Sequence, residues 1–94
     1  MFDLKSQIKT VLRIKSDDFL IDFEIEKLIS ACVDDMILAG VDEKLANDDT
    51  NPLSTQAKKF YAKAYFGDSD ESGKFQRAYE ALRDRLAIGG ASIG

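Results

Sequence analysis

The feature that most constrains this chain is one helical segment over residues 17–40, DDFLIDFEIEKLISACVDDMILAG. Apolar residues recur at Ile21, Ile25, Leu28, Ile29, Cys32, Met36 and Ile37. The steps are mostly three and four, the period of one helical face. A second set, Phe19, Leu20, Phe23, Val33 and Leu38, fills much of the flank, where a surface helix normally keeps a clean polar side. So wide an apolar arc is more than a core of three or four helices needs. It predicts burial against a second partner, often another copy of the same chain.

The 94 residues are read as one domain, with a core over about 3–88 and a flexible tail over 89–94. A chain of this size buries roughly 60–70% of its unfolded surface, enough to fold alone on a thin margin. Apolar content of 45% against 32% charged residues separates it from disordered chains. No apolar run approaches the ~18–20 residues of a membrane span, and MFDLKSQIK lacks the apolar stretch of a signal peptide. With a single cysteine, Cys32, no intrachain disulfide forms, and the expected setting is intracellular and reducing.

The formal net charge is −4, unevenly placed: residues 1–53 carry net −6 and residues 54–94 net +2. The whole chain lacks the basic surface that strong binding to nucleic-acid phosphate requires. An acidic half and a mildly basic half suit head-to-tail stacking of copies; the plainer reading is a chance distribution of solvated charges, which contribute little individually.

Helix signals divide the chain into four segments. The first covers 3 to about 13, with Asp3 as cap, Leu4, Ile8, Val11 and Leu12 inside, and Lys5, Lys9 and Arg13 outside. Ser16 and Asp17 are candidate caps of the second, which Gly40 ends in the left-handed conformation that glycine adopts without steric cost. Residues 41–53 mix acids and turn formers without apolar period and read as an irregular loop, expected to be mobile over 41–50. The third helix starts near Pro52, capped by Asn51 or Ser54, and ends at Gly67. Ala57, Phe60, Tyr61, Ala64 and Tyr65 form its inner face, with Lys58, Lys59 and Lys63 outside. The fourth follows a polar turn in which Asp68 and Glu71 have capping spacing, and Gly89-Gly90 ends it. Phe75, Ala78, Tyr79, Leu82 and Leu86 are its stripe. The fold expected is an all-α bundle of about four helices, with one long central helix and an irregular acidic loop. Ile25, Leu28, Ile29, Cys32, Phe60, Ala64, Tyr79 and Leu82 should be buried together.

Catalytic chemistry finds little support. Asp34-Asp35 are sequence neighbours and do not face each other on a helix, and Asp48-Asp49 lies in a solvated loop where nothing tunes a carboxylate for catalysis. The run 47–51 superficially resembles a calcium loop but lacks its sixth-position glycine and closing glutamate. Cys32 has no histidine to activate it and reads as a buried thiol. One cysteine without histidine makes no zinc site, and no cofactor or metal is expected. Tyr61, Tyr65, Phe60 and Phe66 beside Lys58, Lys59 and Lys63 resemble a basic-aromatic nucleic-acid surface. The aromatics share the inner stripe, however, which favours core packing. The chain is read as an interaction protein without enzymatic activity.

The order of pieces resembles a known family. A short helix ends in Leu12-Arg13-Ile14, then come Ser16-Asp17-Asp18 and a long helix with Ile21, Ile25, Leu28, Ile29 and Ala31. After a variable loop come Phe60-Tyr61-Ala62-Lys63-Ala64-Tyr65 and Phe75-Gln76-Arg77-Ala78-Tyr79-Glu80-Ala81-Leu82. Over residues 4–88 this resembles the small head–tail connector, or DNA-packaging adaptor, proteins of tailed bacteriophages and prophages. The acidic loop and short C-terminus depart from the common pattern. The resemblance implies a structural subunit made in the bacterial host cytoplasm and placed at the virion head–tail junction. It implies a homo-oligomeric ring on the portal protein that docks a tail or stopper protein and extends a channel through which DNA passes without specific binding. The interface expected from the flank of the long helix and the bases of the last two helices comprises Leu20, Phe23, Val33, Lys58, Lys59 and Arg77. A small acidic regulatory module that binds a partner protein is the competing reading. A nucleic-acid binder using residues 54–88 is another.

Overall fold

In the computed structural model the backbone is described for residues 4–14, 18–66 and 71–93, and side chains for the same residues up to 88. Five helices follow one another: α1 (Leu4–Leu12), α2 (Phe19–Leu38), α3 (Glu43–Ala46), α4 (Pro52–Tyr65) and α5 (Ser72–Ile93). No strand occurs among the described residues, and the all-α bundle expected from periodicity is what forms.

The helix ends follow from local chemistry. The Asp18 carboxylate accepts the Leu20 amide at 2.8 Å, so α2 starts two residues later than its apolar pattern suggested. Asp3, Ser16, Asp17, Gly67 and Asp68, also considered as caps or stops, lie outside the described residues. At the other end of α2, Gly40 has φ 106°. Its amide donates to Ile37 O at 3.0 Å, and the Val41 amide donates to Met36 O at 2.9 Å. This paired return closes the last turn while Val41 and Met36 are buried in one cluster. Asn51, not Ser54, caps α4 by accepting the Leu53 and Ser54 amides, with Pro52 in the first turn.

Four expectations need correction. Residues 41–53 are not wholly irregular. The Asp42 carboxylate accepts the Lys44 and Leu45 amides to start α3, and buried Val41 and Ala46 anchor the segment apolarly. Gly89-Gly90 does not end the last helix, which runs to Ile93. Each glycine costs about 1 kcal/mol relative to alanine, too little to stop a propagated helix without a breaker. Lys58 is not outside; its side chain is 1% exposed. The reason is that α4 packs against α1, α2 and α5 at once, so its buried arc takes in Ser54, Thr55, Ala57, Lys58, Ala62 and Ala64, while Tyr65 is exposed.

Finally, the core is split. Cys32, Met36, Val41, Ala46, Ala57, Tyr79 and Leu86 form one cluster, joined by Val33, Phe60 and Leu82. Leu4, Ile8, Ile25 and Ala62 form the other, joined by Ile29. The eight residues expected together are thus divided, and Leu28 and Ala64 belong to neither cluster. Helix α2 crosses both clusters along one face and leaves its opposite flank bare.

Candidate interaction surface

The bare flank is most apolar where α2 begins. Phe19 is 73% exposed, Leu20 66% and Phe23 51%. Phe19 and Phe23 stand one turn apart on one face, and Lys27 Nζ lies 5.5 Å from the Phe23 ring centroid. Asp18, Glu24 and Glu26 beside them in the helix are exposed, Glu24 facing Lys27, giving an apolar, aromatic tip with three carboxylates and one ammonium around it. On the side of α2 nearest α1, Lys9 pairs with Asp22, and Lys5 Nζ lies 3.8 Å from Glu26. At the other end of the helix Ile37 and Leu38 are exposed, Leu38 at 87%. Ile37, expected on the inner stripe, faces out because the buried arc there narrows to Cys32 and Met36.

Two polar contacts fix the elements around this helix. The Tyr79 hydroxyl and Arg83 Nη1 donate to Asp35 Oδ2 at 2.6 and 3.0 Å, clamping α5 onto α2. Burial opposes ionisation of Asp35, but the two hydrogen bonds outweigh it and hold the carboxyl below its usual range. The same carboxylate, with burial as the larger cause, raises the Tyr79 phenol. Lys58 Nζ donates to Asp49 Oδ1 at 2.8 Å and ties the segment before α4 to that helix. Cys32 is fully buried beside Met36. Burial pushes its thiol up to about 12, against a smaller lowering by Tyr79, so it sits in the core as a protonated thiol.

A second surface lies where α1, α4 and the start of α5 meet. A cavity of about 270 Å³ is lined by Val11, Leu12, Arg13, Lys63, Phe66, Glu71 and Phe75. An adjoining one of about 220 Å³ is lined by Gln7, Thr10, Val11 and Lys59. They adjoin at Val11, and this groove combines apolar Val11, Leu12, Phe66 and Phe75 with basic Arg13, Lys59 and Lys63 and acidic Glu71. Lys63 Nζ sits 4.5 Å from the Phe75 ring centroid and Lys74 Nζ 5.6 Å from it. Arg13, at the groove's end, has φ 61°. Its amide donates to Thr10 O and the Ile14 amide to Lys9 O. Arg13 therefore holds the position after the helix that glycine usually takes.

A family model described as Phage connector protein matches residues 4–91, nearly the whole chain. The chain belongs to the phage connector protein family. No curated protein and no solved structure gives a significant match. The family is of a structural kind. Among the described residues no helix of the connector is long and apolar enough to cross a membrane.

Of the connector's six expected interface residues, the structure leaves Leu20, Phe23 and Arg77 exposed. Lys59 is half-buried on the groove. Val33 is half-buried and packs against the core, and Lys58 is enclosed with Asp49 as partner. Periodicity did mark Phe19 and Leu38 as flank residues. The groove was missed, because it joins residues from 7 to 75 that share no local pattern.

Proposed function

We propose that this connector chain is one subunit of a homo-oligomeric ring at the head–tail junction of the virion. The ring sits on the portal protein, lengthens the DNA channel and offers its far side to a tail or stopper protein. The supporting observation is the exposed aromatic tip of α2, in a chain whose family is that of phage connectors. An exposed Phe19-Leu20-Phe23 patch is a liability in a lone molecule and an asset in an assembly. A ring uses two different complementary patches per subunit, and the acidic and basic halves supply opposite charge. The contact combines Leu20 and Phe23 with Lys59 and Arg77 of the next copy. The apolar part supplies most of the affinity, and the charges mainly orientation and rate. A net charge of −4 gives a channel wall that does not grip DNA phosphates.

Light scattering and negative-stain imaging of the concentrated chain test this reading. The expected result is ring-sized particles that Phe23→Asp abolishes. A chain that stays monomeric, alone and with its cognate portal, belongs instead to a small acidic regulatory module.

A further inference from the structure

We propose that the groove between α1, α4 and the start of α5 is the socket for the N-terminal end of α2 of a second copy. The inference rests on the ring reading above and specifies which two surfaces meet. The groove is basic on a chain whose net charge is −4: Arg13, Lys59 and Lys63 line it. Its floor is Val11, Phe66 and Phe75, and its two parts of about 270 and 220 Å³ hold side chains, not a whole fold. A fitting occupant carries aromatic or aliphatic side chains flanked by carboxylates. The tip of α2 is such a segment, with Phe19, Leu20 and Phe23 exposed among Asp18, Glu24 and Glu26.

The two surfaces also lie on different sides of α1. Lys5 and Lys9 reach toward Glu26 and Asp22 of α2, whereas Gln7, Thr10 and Val11 line the groove beside Lys59. A tip and a socket that do not overlap can both be used by one molecule, as a heterologous contact requires. Duplex DNA fits less well. It would meet three cations, an acid at Glu71 and an apolar floor that a phosphate backbone cannot fill.

The test uses two full-length variants, checked for native helicity by circular dichroism. Phe19→Asp/Phe23→Asp spoils the tip and keeps the groove. Lys59→Glu/Lys63→Glu spoils the groove and keeps the tip. Because Lys63 covers the Phe75 ring, Lys59→Glu/Arg13→Asn serves as a second groove variant that leaves that contact in place; asparagine tolerates the left-handed backbone. In sedimentation velocity at concentrations where the wild type assembles, each variant alone is expected to run as a monomer. A tip variant mixed with either groove variant is expected to give a 1:1 dimer and nothing larger, since one working tip and one working socket remain. Groove variants that assemble like the wild type overturn the socket and leave the ring reading intact. So does a mixture that stays monomeric. Saturable binding of a fluorescent DNA duplex that the groove variants lose while still assembling assigns the groove to nucleic acid instead. A wild type that assembles neither alone nor on its cognate portal overturns the ring reading itself.

Discussion

Arg13 shows how a single residue records two demands. Its left-handed backbone, φ 61°, costs a non-glycine residue about 1–2 kcal/mol, yet its guanidinium is a basic group of the groove. Arg13→Gly is expected to raise stability by about 0.5–1 kcal/mol, read from the denaturant midpoint, while weakening self-association. Asp35 gives a pH signature. Its folded-state pKa is depressed by Tyr79 and Arg83 against the effect of burial, so the contribution is full above the ordinary carboxylate value of 3.8 and disappears as pH falls through the folded value. Asp48, held low by its hydrogen bonds to Thr50, acts in the same window. Urea midpoints from pH 6 down to pH 2.5 should fall more gently in Asp35→Asn than in the wild type; parallel curves would refute the clamp. At this scale the sequence was partly legible. The buried thiol of Cys32 followed from its place between Leu28 and Met36. The Asp35–Tyr79 bond did not, because partners 44 residues apart leave no local pattern.

At the scale of elements, helical periodicity found the long helices to within a few residues, since the apolar stripe and the caps point the same way. It failed where the number of neighbours decides burial. Lys58 sits on a helix enclosed on three sides, and a helical wheel cannot count neighbouring helices. Its ion pair with half-exposed Asp49 yields an ordering of variants. Asp49→Ala leaves a buried ammonium without its carboxylate and should destabilise more than Lys58→Met, which removes the charge and keeps the packing. The reverse order in thermal melts would contradict a buried, paired lysine. The split core gives a second ordering. Ile25 is fully buried, whereas Leu28 is only half-buried and belongs to neither cluster. Ile25→Ala should cost about 2–5 kcal/mol and Leu28→Ala clearly less; equal losses in urea titrations would refute the placement of α2. Helix α3 escaped notice because four residues are too few for a period, although its cap, Asp42, was in plain sight.

Over the whole molecule, the surplus apolar flank of α2 was the most useful signal in the sequence, and the structure leaves it uncovered at Phe19, Leu20, Phe23 and Leu38. The groove was illegible because three helices assemble it. The chain belongs to the phage connector protein family, and the ring proposed above has copies joining through unlike surfaces on the portal. Co-sedimentation of the wild-type chain and of Phe23→Asp with the cognate portal ring tests this most directly. The account predicts that the wild type pellets with the portal as multiple adjoining copies and that Phe23→Asp remains largely in the supernatant. Equal recovery of both proteins, or a wild type that stays wholly in solution, would contradict it.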